Sequence, residues 1–195
     1  MAKKLFLFGI LILAAAGTGC GRKSVSRIDI DTQMDLSGKW NDTDSRKVSE
    51  EMISDCLSRP WLGRYLEKNG ERPTVIVGSV RNQTDEHIIS ETFTKDLERA
   101  FINSGNVSVV ASRGEREEIR EERMDMQEWS SDDTVKEFMR EVGADYMLTG
   151  VVNSIRDREG NKQVIFYQIN LELIDTETNM KTWIGDTRIK KYIKN

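Results

Sequence analysis

Every second residue from Ile165 to Leu173 is apolar or aromatic: Ile165, Tyr167, Ile169, Leu171 and Leu173. Gln168, Asn170 and Glu172 fall between them, so a strand here has one dry face and one largely wet face. This strand is predicted over Lys162 to Asp175, with neighbours over about Tyr146 to Arg156 and Met180 to Ile193. The turn sequences DREGNK and TETN join the three into an antiparallel meander.

Upstream the apolar period lengthens to that of a helix. Val48, Met52, Ile53, Cys56 and Leu57 form one face, with Asp42, Thr43 or Asp44 available as the N-terminal cap and Pro60 ending the pattern. The next residues, WLGRYLEKNGERP, read as a short helical turn and a loop. Ile89, Phe93, Leu97 and Phe101 recur at four-residue steps, and Gly105 follows where a helix-terminating glycine belongs. Short β-branched runs from Thr74 and from Val107 to Ala111 predict two further strands. The charge-dense stretch from Arg113 predicts a solvated helix, and Val135, Phe138, Met139 and Val142 predict another that stops at Gly143. The expected fold class is therefore α+β, a mostly antiparallel sheet with a C-terminal three-strand meander, flanked by helices.

The N-terminus follows a different logic. Lys3 and Lys4 precede an uncharged run from Leu5 to Gly19, and Cys20 closes it. The strongly apolar part, Leu5 to Ala16, is shorter than the roughly 20 residues a bilayer span needs. A basic start, a short apolar middle and small residues at the end make an export signal. The cysteine directly after them resembles the lipobox of bacterial lipoproteins, although Gly17 stands where that motif usually has leucine. The resemblance implies cleavage before Cys20 and lipid on its thiol. The expected organisation is a signal peptide over 1–19, a lipidated N-terminus and tether over 20–42, and one domain over 43–195. Trp40, near the end of the tether, is expected to dock on that domain.

Charge then narrows the partners. Losing residues 1–19 removes Lys3 and Lys4 and no acid, which moves the net charge from −4 to −6. An acidic domain without a basic tract is a poor ligand for nucleic acid, whose phosphates call for clustered Lys and Arg. Cys20 and Cys56 are the two cysteines, so with lipid on Cys20 no disulfide remains and Cys56 reads as a small buried apolar residue. No catalytic constellation is recognisable. His87 is the single histidine, placed where a helix starts, and neither a metal-ligand cluster nor a phosphate-binding loop is present in the sequence. No cofactor, metal or small-molecule substrate is expected.

Several stretches in order, DLSGKWNDTDSRKVSEEMI, VIVGSVRNQTDEHI, TKDLERAFINSG, GADYMLTGVV and YQINLELIDTETNMKTWIGDTRIKKYI, resemble the LpoB family of lipoprotein activators of peptidoglycan synthases. The resemblance covers about Asp35 to Ile193. It implies a domain like the N-terminal domain of TolB. It also implies an outer-membrane lipoprotein facing the periplasm, which activates a penicillin-binding protein by contact and is not itself an enzyme. No partner-binding residue carries over, because the resemblance lies in the scaffold. Gly21 after Cys20 agrees with outer-membrane sorting. The rival reading is a CsgG-related secretion or envelope-assembly lipoprotein, since that group shares a related domain.

Overall fold

The structure is a computed structural model that describes residues 24–29, 32–127 and 143–194. Residues up to Thr32 fall into one unit and those from Gln33 onward into another, compact one. In the second unit the described elements run α1 (Asp42–Ser58), α2 (Pro60–Asn69), β1 (Thr74–Gln83), α3 (Ser90–Ser104), β2 (Ser108–Val110), α4 (Arg113–Gln127), β3 (Tyr146–Glu159), β4 (Lys162–Asp175) and β5 (Lys181–Lys194). The helix expected over residues 130–142 lies outside the described residues.

The five strands form one sheet in the order β2-β1-β3-β4-β5. The meander stands as expected: β3 pairs antiparallel with β4, and β4 with β5. The pairings of β1 with β2 and with β3 are parallel, so the sheet is mixed. Helix α3 is the crossover between β1 and β2, as a parallel pair requires. Gly150 on β3 lies opposite Leu171. A Cβ there would meet the Asn170 carbonyl oxygen and come within 2.5 Å of Leu171 Cδ2. Glycine lets these two long strands close on each other.

The core sits between the sheet and α1, α2 and α3. The alternating residues of β4, Ile165 to Leu173, are all buried there, facing Val48, Met52, Ile53, Phe93, Leu97 and Phe101 from the helices. Each such side chain stabilises the fold by about 1.5–3 kcal/mol. The cap of α1 corrects the sequence expectation. It is Asn41, whose side chain accepts from the Asp44 N–H at 3.0 Å while Asp44 accepts from the Asn41 N–H at 3.0 Å. The pattern of α1 does end before Pro60, with Ser58 its last helical residue, and Pro60 itself opens α2 at the first helical turn, where its missing N–H costs no bond.

Cys56 is fully buried at 0% exposure, and burial pushes its thiol up to about 12. At neutral pH it stays protonated and inert. Cys56→Ala is expected to lower stability by about 1–3 kcal/mol. The native thiol should resist iodoacetamide until denaturant unfolds the chain. Rapid labelling of the folded protein would show that Cys56 is not in the core.

The nine residues before α1 form a strap over the helix-side surface of β4 and β5. The Trp40 ring meets Phe93 and Tyr167 edge to face, at centroid distances of 5.8 and 5.7 Å. Its backbone N–H donates to Glu86 Oε2 at 3.2 Å, which also accepts from the Tyr167 hydroxyl at 2.8 Å. Arg156 donates to the other Glu86 oxygen at 2.8 Å. Glu86 is therefore a nearly buried carboxylate, 6% exposed at its side chain, whose partners come from the strap, β3 and β4. Burial first, and then Glu86, push the Tyr167 hydroxyl well above its ordinary pKa. A second clasp is Lys191 on β5, which donates to Asp35 at 2.6 Å, the Lys39 carbonyl at 3.0 Å and Asp44 at 2.5 Å. Gly38 between them has φ +67°, and a Cβ there would collide with the Ile193 side chain.

Helix α4 is mostly exposed and is tied to α3 by an ionic link. Lys95 donates to Glu98 at 2.8 Å and to Glu115 at 2.6 Å, and Glu115 also accepts from the Ser112 N–H at 2.8 Å. Lys95 foremost, then Ser112, hold the Glu115 carboxyl down at about 2, below its ordinary 4.5. A depressed carboxylate contributes stability above its unfolded pKa and loses it as pH falls through the folded value. The first turn of α4 should therefore stay protected from amide exchange above about pH 4.5 and lose protection toward pH 2. Glu115→Gln should remove that dependence. The side chain is 44% exposed, so solvent screening keeps the effect local. Identical pH profiles for the two chains would show that the link is inconsequential.

Candidate interaction surface

The alternation that buries one face of β4 leaves the other face of the meander open. Three rungs near the β3–β4 turn define this open face: Ile155–Phe166–Lys190, Asp157–Val164–Tyr192 and Glu159–Lys162–Lys194, each running β3 to β4 to β5. Ile155 is 67% exposed and Tyr192 62%, while Val164 and Phe166 are half-buried between them. Nearer the other end Ile184 is 60% exposed beside Thr149 and Glu172. Apolar side chains clustered on a solvated strand surface mark recognition surfaces.

Charge differs between the two ends of this face. Toward Ile184 the cations are neutralised locally: Lys181 pairs with Glu172 at 2.7 Å and Arg188 with Asp186 at 2.9 Å. Toward the β3–β4 turn, Asp157, Glu159, Lys162, Lys190 and Lys194 make no ion pair among the described residues. The alternation of β4 makes this wet face legible in the sequence. The apolar members were missed there, and the signal that reveals them is Ile184 and Tyr192 at otherwise charged outward positions of β5.

Two of the clefts elsewhere are lined in part by helices. One, of about 610 Å³, lies between α1 and α3, floored by Ile53, Leu57 and Ala100 and rimmed by Arg46 and Arg99. The other, of about 480 Å³, lies between α2 and the start of β3. Its wall is an edge-to-face series in which Tyr146 meets Trp61 at 5.0 Å and Tyr65 at 5.8 Å. Burial, and then Asp145, push Tyr65 up to about 12. His87 is exposed just before α3. Among the described residues no group of His, Cys, Asp and Glu is placed to hold a metal ion, and no helix is long and apolar enough to cross a membrane. Cys20, the expected lipid attachment residue, lies outside the described residues.

The class defined by this fold is an α+β domain of helices on one face of a mixed five-stranded sheet. Over residues 44–189 the chain matches the family described as peptidoglycan-synthase activator LpoB. The chain belongs to that family, a family of activators that act on an enzyme. No curated protein matches by sequence. Among solved structures, the LpoB C-terminal domain from Escherichia coli is 18% identical, covering 76% of this chain and 99% of its own, with a TM-score of 0.45. The solution structure of E. coli LpoB is 17% identical, covering 90% of this chain and 88% of its own, with a TM-score of 0.43. The lipoprotein GNA1162 from Neisseria meningitidis is 13% identical over 62% of this chain and 83% of its own, with a TM-score of 0.41.

Proposed function

We propose that this protein is a periplasmic lipoprotein, anchored in the outer membrane through Cys20, that binds and stimulates a peptidoglycan synthase of the bifunctional penicillin-binding type. The observation that carries the reading is the family match over residues 44–189, which takes in all the described helices and strands from α1 into β5. The export-signal pattern ending at Cys20 supports the anchor and the compartment. On this reading the protein acts by contact, lowering no barrier with its own side chains, and changes the synthase by binding one of its conformations better than another.

The experiment is reconstitution. The purified chain, added to the bifunctional synthase of the same cell and lipid-linked precursor, should raise the rates of glycan polymerisation and peptide cross-linking. It should also retain that synthase on an affinity column from envelope extract. Unchanged rates together with capture of a secretion-pore subunit would favour the CsgG-related reading and defeat this one.

A further inference from the structure

Apart from Lys162 at the end of β4, the unpaired charges of the open face stand in two columns. The acids Asp157 and Glu159 lie on β3, and the bases Lys190 and Lys194 lie on β5. Between them β4 presents Val164 and Phe166, with Ile155 and Tyr192 completing the apolar strip. Neither charged column has an ion-pair partner among the described residues. This layout is complementary to itself under one rotation. A twofold axis parallel to β4, lying above the open face, brings the β3 column of one copy over the β5 column of the other. It also lays β4 on β4, at the roughly 10 Å spacing of facing sheets.

We propose that this face is the contact between two copies of the chain, which pack sheet to sheet around that axis. Glu159 of each copy then faces Lys194 of its mate, and Asp157 lies over Tyr192, between Lys190 and Lys194. Val164 and Phe166 pack on their own equivalents, and Tyr192 closes the strip at both sides. Lys162 stands at the end of the axis across from its own equivalent, with Glu159 beside it, and solvent there screens the two like charges. An isologous contact of this kind uses the same patch twice and closes on itself.

The alternative way to pair two copies, through the free edge of β5, is disfavoured by the same residues. Lysines on an edge strand discourage such pairing, and antiparallel pairing about the middle of β5 would set Lys194 against Lys181 at both ends of the contact. The inference stands apart from synthase activation, and its outcome leaves that reading untouched.

Cross-linking of the full chain in intact cells tests it. Val164→Cys and Phe166→Cys each place a thiol on the axis, and Ile102→Cys places one on α3 as a control. Cys56 is buried and silent. A bifunctional maleimide spanning about 10 Å should give a covalent species of twice the monomer mass from both β4 variants and none from the control. In the Phe166→Cys background, Lys194→Glu or Glu159→Lys alone should cut that yield about tenfold, and the two together should restore it. Restoration by the double swap requires that acid and base meet across copies. Absence of a dimer from both β4 variants would overturn the proposal. So would an adduct of another mass, a dimer formed only through Arg188→Cys on the edge, or a double variant no better than the singles.

Discussion

A chain carrying Trp40→Ala is expected to unfold with about 3 kcal/mol less stability than the parent, near the lower end for removing a packed tryptophan. The ring is half-buried, so the loss comes from its two edge-to-face contacts with Phe93 and Tyr167 and from the cavity left between them. The backbone N–H of residue 40 still donates to Glu86 in the variant, which separates packing from hydrogen bonding. Glu86→Ala tests the other half: it strands the Tyr167 hydroxyl and the Arg156 guanidinium, both of which bond Glu86 at 2.8 Å. Chemical denaturation of the three chains measures both effects. Removal of residues 33–41 should cost at least as much as Trp40→Ala, because it also releases Lys191 from Asp35 and the Lys39 carbonyl. A Trp40→Ala chain as stable as the parent would mean that the strap rests on the domain without holding it.

The same strap shows where reading a sequence stops. The strands of the meander were legible because β4 writes its two faces in alternate letters, from Ile165 to Leu173. Helix α3 was legible because Ile89, Phe93, Leu97 and Phe101 keep a helical step and Gly105 takes the left-handed conformation, φ +68°, that ends it. Nothing comparable marks residues 33–41. Their contacts are to Glu86, Tyr167, Lys191 and Ile193, partners remote in sequence, and a polar stretch without a period reads as tether. The parallel pairing of β1 with β3 was hidden for the same reason, since a short β-branched run announces a strand and not its neighbours. On the open face the charges were visible as a wet surface. Their separation into an acidic β3 column and a basic β5 column exists only once register puts Asp157 across β4 from Tyr192.

On the proposed reading, deletion of residues 23–32 should abolish synthase activation in cells while leaving it intact in solution. The compact unit begins at Gln33, so thirteen residues from Cys20 to Thr32 separate the lipid from the domain. Fully extended, that length reaches at most roughly 45 Å. The deletion leaves three residues, a reach of about 10 Å, which holds the domain against the membrane surface. A soluble chain with the same deletion has lost no contact of the domain, and it should stimulate purified synthase as well as the parent does. Refilling the gap with ten Gly/Ser residues should restore activation in cells, because a flexible linker supplies length without a binding sequence. Cross-link density of the isolated cell wall in the three strains is the measurement. If the Gly/Ser chain is folded, anchored and still inactive, the residues of 23–32 themselves touch the partner. Full activity of the deleted chain would instead mean that the synthase comes to the membrane surface and reach is not limiting.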